Sequence, residues 1–191
     1  MGSFESNVFL LPKDFTHACV AYLVKTYHDV GEMSLGRTIL QKLCYFSKAN
    51  GVPLPFRFEM YHYGTFCQEI FDVTDNLLVD DVIQDQAPGQ GWSTYIPGPS
   101  CEALLGMAEK KLEKYSAQLD RVVQTFSSLD PQQMELVSTI HYVHSSYRDW
   151  RGERPPKGEV VRAVLEIKRG KFAEDFVSRV YDVLMGAGLL K

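Results

Sequence analysis

No stretch of this chain approaches the roughly 20 consecutive apolar residues that span a bilayer, so no transmembrane helix is expected. Paired cysteines are missing as well. Cys19, Cys44, Cys67 and Cys101 are spread about evenly with no CxxC, which predicts reduced, separately packed thiols and argues against a zinc site. A Walker-type glycine loop, GxGxxG and GxSxG are also absent, and with them the usual phosphate, dinucleotide and serine-hydrolase signatures. Neither sign of charge dominates. Lys and Arg number 20 against 24 Asp and Glu, a net charge of -4, so no global pull toward phosphate backbones or anionic membranes exists. The opening MGSFESNVFLLP has no basic region ahead of an apolar run. No secretory leader is therefore expected, and a cytoplasmic location is.

What is present is core material. Of 191 residues, 45% are hydrophobic and 12% aromatic, enough for one domain spanning 1–191. Pro12 opens a helical pattern through Phe15, Ala18, Cys19, Tyr22 and Leu23 that Gly31 closes. A second helix is expected over 35–50, with Ile39, Leu40, Leu43, Cys44 and Phe46 buried and Arg37, Gln41, Lys42 and Lys48 off that face. From Phe56 the period drops to two, Phe56, Phe58 and Met60 alternating with Arg57 and Glu59, which predicts a strand. Gly64 ends it, and Thr65 with Gln68 reads as a capping box opening the next helix. Residues 82–86 and 92–96 flank a Pro-Gly-Gln-Gly turn, a small hairpin. The pattern over 100–127 is helical throughout and long enough that a break is expected. Asp130-Pro131 starts a central helix through Met134, Val137, Ile140 and Val143, followed by a polar loop over 148–158. Two closing helices are expected near 159–168 and 173–186.

Candidate chemistry is thin. His141 and His144 lie three apart on a helix but have no intervening Glu and no third ligand nearby, so they read as core or rim residues, and no metal is expected. Cys67 is the one cysteine with a nucleophile's placement, in the first turn of the expected capped helix and close to His62. Its alternative is a small buried hydrophobe. In the strand, alternation sends Tyr61 and Tyr63 to the side opposite His62. Two same-side tyrosines suit a binding surface, or else pack inward. The closing helices have a helix-turn-helix layout. Lys168, Arg169, Lys171 and Arg179 are its possible nucleic-acid contacts, but Glu174, Asp175 and Asp182 share the second helix and oppose a phosphate-lined groove.

LQKLCYF (40–46), a glycine-ended helix and FEMYHYGTFCQEIFDVTDNLL (58–78) resemble the SocA-like (Panacea) antitoxin domains and the related YwgA-like proteins. MELVSTIHYV (134–143) and VLEIKRGKFAEDFVSRVYDVLMGAGLL (164–190) are similar to the back half of that family. The chain departs from the family at Thr65, where many members carry proline, and at Ala173, where a capping serine or threonine is usual. The resemblance implies a mainly helical domain with a small sheet that acts by protein contact, as SocA-like members neutralise toxins, in one mode by bridging the toxin to a protease.

The expectation is thus a mainly α (α+β) fold: a helical domain with a small antiparallel sheet or hairpin and a C-terminal helix-turn-helix-like pair. The expected function is a non-enzymatic protein-interaction domain, antitoxin-like or proteolytic-adaptor-like, with no cofactor. Its expected contact set is Tyr61, Tyr63 and Gly64 with Arg37 and Lys42 on the exposed side of the second helix. The alternative is a helix-turn-helix regulator that contacts nucleic acid.

Overall fold

The computed structural model describes residues 9–30, 33–61 and 64–191. Among the described residues the chain is mainly α, with helices α1 (Phe15–Val30) and α2 (Arg37–Ala49), strands β1 (Glu59–Tyr61) and β2 (Gly64–Phe66), helix α3 (Glu69–Val79) and strands β3 (Ile83–Asp85) and β4 (Tyr95–Pro97). Helices α4 (Cys101–Leu112), α5 (Ser116–Phe126), α6 (Pro131–Arg151), α7 (Lys157–Lys168) and α8 (Glu174–Gly186) complete it. The strands form two separate two-stranded antiparallel sheets, β1 with β2 and β3 with β4. The stop assigned to Gly31, the placements of His62 and Tyr63, and the leader reading of residues 1–8 lie outside the described residues. No helix among the described residues is long and apolar enough to cross a membrane.

The chain divides into two compact units. The first comprises residues 1–57 and 67–130 and the second 58–66 and 131–191. In the first unit α1 is the hub: Ala18, Cys19, Val20, Ala21, Leu23 and Val24 are all fully buried, and α1 packs on α4, α5, α3 and β4. Phe46 of α2 stacks on Phe126 of α5 with ring centroids 4.1 Å apart, and the Tyr27 hydroxyl donates to the Ser127 carbonyl at 3.2 Å. The expected break in the long helix falls between Leu112 and Ser116. The expected β3–β4 hairpin is present, its loop held by the Asp85 carboxylate, which accepts from the Ala87 and Thr94 amides at 3.0 and 2.8 Å.

Three local expectations are corrected. Gln41 and Lys42 do not point outward: every residue of α2 from Ile39 to Ser47 is buried, Lys42 to 3% exposure. Periodicity assigns an outer face only to a helix covered on one side. This one is enclosed all round over that span, so phase no longer decides exposure. Secondly, Thr65 and Gln68 make no capping box. Thr65 sits in β2 opposite Met60, and α3 starts only at Glu69, its cap position Gln68 making no side-chain bond. The reason is competition for the main chain. The Gln41 carboxamide takes both backbone groups of Cys67, accepting from its N–H at 3.0 Å and donating to its carbonyl at 2.9 Å. A helix begun at Thr65 would need that carbonyl for its own ladder. Thirdly, the polar loop expected from Arg148 begins a turn later, because α6 continues to Arg151 and is closed by Gly152, which has φ +74° and donates to the Arg148 carbonyl at 2.8 Å. Basic side chains in that last turn favour the extension.

In the second unit α6 is buried on every side from Met134 to Ile140, and β2, α7 and α8 pack against it. The helix-turn-helix-like pair is present as α7 and α8, which pack on each other. Ala173 caps α8 without a side-chain bond, and Glu174 and Asp175 supply the first-turn negative charge instead.

Candidate functional site

Tyr61 ends β1 with 57% of its surface exposed, its ring tilted against Phe66 at 5.5 Å between centroids. It lines a groove of about 300 Å³ together with Met60 and, from the end of α7, Glu166, Ile167 and Arg169. Met60 and Tyr61 are consecutive on a strand and project to opposite faces. A depression that touches both therefore runs along the edge of β1. A wider depression of about 580 Å³ in the first unit has Phe15, Leu104 and Met107 among its walls and Lys110 and Lys111 at its rim, with the Lys111 ammonium 4.3 Å from the Phe15 ring centroid.

Gly64 pairs with Tyr61 across the hairpin and is held there by a steric requirement. Its φ is +90°, and a Cβ at this position would lie 3.1 Å from Thr139 Oγ1, 3.2 Å from the Glu135 carbonyl oxygen and 3.3 Å from Ser138 Oγ. Glycine alone satisfies both the backbone and the space. The Glu135 carbonyl also accepts from the Thr139 and Ser138 hydroxyls at 2.7 and 3.1 Å.

The Glu135 side chain does the rest. It is 4% exposed, and its two oxygens separately receive the Lys168 and Lys171 ammonium groups, each at 2.8 Å. Burial by itself would raise the Glu135 carboxyl, but the two lysine hydrogen bonds and charges outweigh it and hold the group below the usual carboxylate range. Burial lowers the Lys168 ammonium from its ordinary value, with Glu135 opposing that shift. Sequence reasoning passed over Glu135. Its signal was a single carboxylate inside the apolar run MELV, and such a group, once buried, demands a cation.

The nucleic-acid set is thereby divided. Lys168 is 5% exposed and bound to Glu135, Lys171 is bound to the same carboxylate, and Arg179 pairs with Asp175 at 2.7 Å within α8. Arg169 is exposed in a left-handed conformation with φ +47° at the end of α7. Of the protein-contact set, Tyr61 and Gly64 come together, whereas Arg37, which is exposed, and the buried Lys42 belong to the first unit.

Cys67 is buried, and its Sγ lies 2.9 Å from Glu69 Oε2. Burial, then the hydrogen bond and negative charge of Glu69, push its thiol up to about 11, the opposite of what activates a nucleophile. It also stands before α3 rather than in its first turn. His144 is fully buried, with Nδ1 3.1 Å from the Tyr181 hydroxyl and Nε2 3.2 Å from the Lys191 main-chain oxygen. The carbonyl can only accept, so Nε2 carries the proton and Nδ1 accepts from tyrosine. Burial pushes His141 down to about 4. Burial lowers His144 as well, against the opposing hydrogen bond to Lys191, so both rings favour the neutral form, and the described residues contain no group of three or more His, Cys, Asp or Glu placed to hold a metal ion.

A scan against protein-family models gives no match for this chain, and a search of the curated proteins gives none either.

Proposed function

We propose that the chain is a non-enzymatic protein-interaction module whose second unit receives its partner at the Tyr61 groove. The observation that carries this reading is Tyr61 itself, a large rigid aromatic left 57% exposed on a depression that also offers Met60, Ile167, Glu166 and Arg169. Exposed tyrosine and arginine beside an apolar floor are the residue types that dominate protein interfaces. The matching partner is a protein segment that seats an apolar side chain against Met60 and Ile167 and offers charged groups to Arg169 and Glu166. The SocA-like resemblance supports an antitoxin or proteolytic-adaptor role for such a module. The nucleic-acid alternative is disfavoured by the engagement of Lys168 and Lys171 with Glu135.

A tagged pull-down from the native cell at physiological salt, read by mass spectrometry, tests the proposal. The expected result is a near-stoichiometric protein whose capture falls on the order of 30-fold with Tyr61→Ala, the loss of a typical interface hot spot. Undiminished capture by Tyr61→Ala overturns it. So does recovery of DNA in place of protein with an affinity that drops steeply as salt rises.

A further inference from the structure

Both walls of the Tyr61 groove are attached to one residue. The hairpin wall, Met60 and Tyr61, is seated on α6 through Gly64, whose α-carbon faces the Glu135 carbonyl and the two hydroxyls bonded to it. The helical wall, Glu166, Ile167 and Arg169, contains Lys168 in its middle, and the Lys168 ammonium is fixed on the Glu135 carboxylate. Lys171 clamps the turn beyond it to the other carboxylate oxygen. Arg169 lies between the two anchored lysines in a left-handed conformation that a non-glycine residue adopts only when its surroundings impose it. We infer that Glu135 is the positioning residue of the groove: its carbonyl side sets the strand edge and its carboxylate sets the end of α7, so that the two walls face each other before any partner arrives.

This inference rests on the proposed binding role of the groove, yet its consequence is measurable in the protein alone. Methyl-labelled full-length chain would be compared by NMR as wild type, Glu135→Gln, Lys171→Met and Leu184→Ala. Glu135→Gln keeps the side-chain shape and removes the charge that holds Lys168. Lys171→Met removes only the partly exposed arm and is the variant least exposed to misfolding. Leu184→Ala cavitates α8 at a buried position without touching a Glu135 hydrogen bond, and so controls for lowered stability. The expected result is that the Met60 and Ile167 methyl resonances shift or broaden in Glu135→Gln, do so to a smaller extent in Lys171→Met, and stay in place in Leu184→Ala. Unmoved resonances in the first two variants overturn the inference, as do equal movements in all three. The binding reading fails separately: if Tyr61→Ala leaves partner capture intact while Met60 and Ile167 respond to Glu135→Gln, positioning stands and the binding role falls.

Discussion

Replacing Gln41 with leucine should be among the most damaging conservative-sized changes in the first unit. Gln41 lies on α2, 3% exposed, and its carboxamide satisfies both the N–H and the carbonyl of Cys67 at 3.0 and 2.9 Å. It acts as a strand partner of one residue. Leucine fills the space and leaves two buried backbone groups unpaired, at about 1–3 kcal/mol each. Against that, the gain from burying apolar surface is about 1–2 kcal/mol, so at the middle of both ranges the net loss is about 2.5 kcal/mol. For a chain of this size that corresponds to a fall of roughly 5–10 °C in Tm. The assay is urea and thermal unfolding combined with amide exchange, where the Cys67 amide should lose its protection selectively. Gln41→Glu sharpens the test. A protonated carboxyl has the same one-donor, one-acceptor pattern as the amide and restores both bonds, whereas a carboxylate faces the Cys67 carbonyl. The folded variant therefore favours the protonated form, its pKa rises above the unfolded value, and its stability relative to wild type must increase as pH falls through that raised pKa. A cost below about 1 kcal/mol for Gln41→Leu, with the Cys67 amide still protected, would refute the clasp.

Gly98→Ala should destabilise by about 1–3 kcal/mol or more, because its Cβ would stand 2.1 Å from the Asp81 carbonyl oxygen, a main-chain atom that cannot swing aside. Gly106→Ala, at a helical position where nothing lies within 4 Å, should instead stabilise α4 by roughly 0.5–1 kcal/mol; equal unfolding midpoints for the two would contradict this account. Cys67, raised to about 11 by burial and Glu69, should react with iodoacetamide more slowly than a free thiol at pH 7.5. Its rate should keep climbing to near pH 11 in the folded state, and a rate above that of free cysteine at neutral pH would show an activated thiolate instead.

The helices were legible because their signals are local. The period of Phe15 to Leu23, the Asp130-Pro131 start and the Pro-Gly-Gln-Gly turn each lie within a few residues of the element they specify, and the observed elements follow them closely. The Thr65–Gln68 cap shows where local signals fail: Thr65 is paired with β1, and Cys67, between the two expected cap residues, is held by a glutamine 26 positions away, so the longer-range partners prevailed. Lys42 fails for a related reason, since the extent of its coverage depends on how many neighbours surround α2 and not on its phase along the helix.

The candidate site divides in the same way. Tyr61 and Gly64 were visible in FEMYHYGTF as an aromatic-rich strand ending at a glycine, and Lys168, Arg169 and Lys171 were visible as charge in a turn. That Gly64 must be glycine because α6 passes beneath it, that a lone Glu135 ties Lys168 and Lys171 to that helix, and that Met60 and Ile167 share one groove were decided by tertiary structure. Sequence by itself determines periodicity, punctuation and charge inventory, because these act between residues a few bonds apart. Which charges are spent inside and which remain for a partner is settled only when segments distant in the chain meet, since desolvation and pairing are properties of the place a side chain reaches.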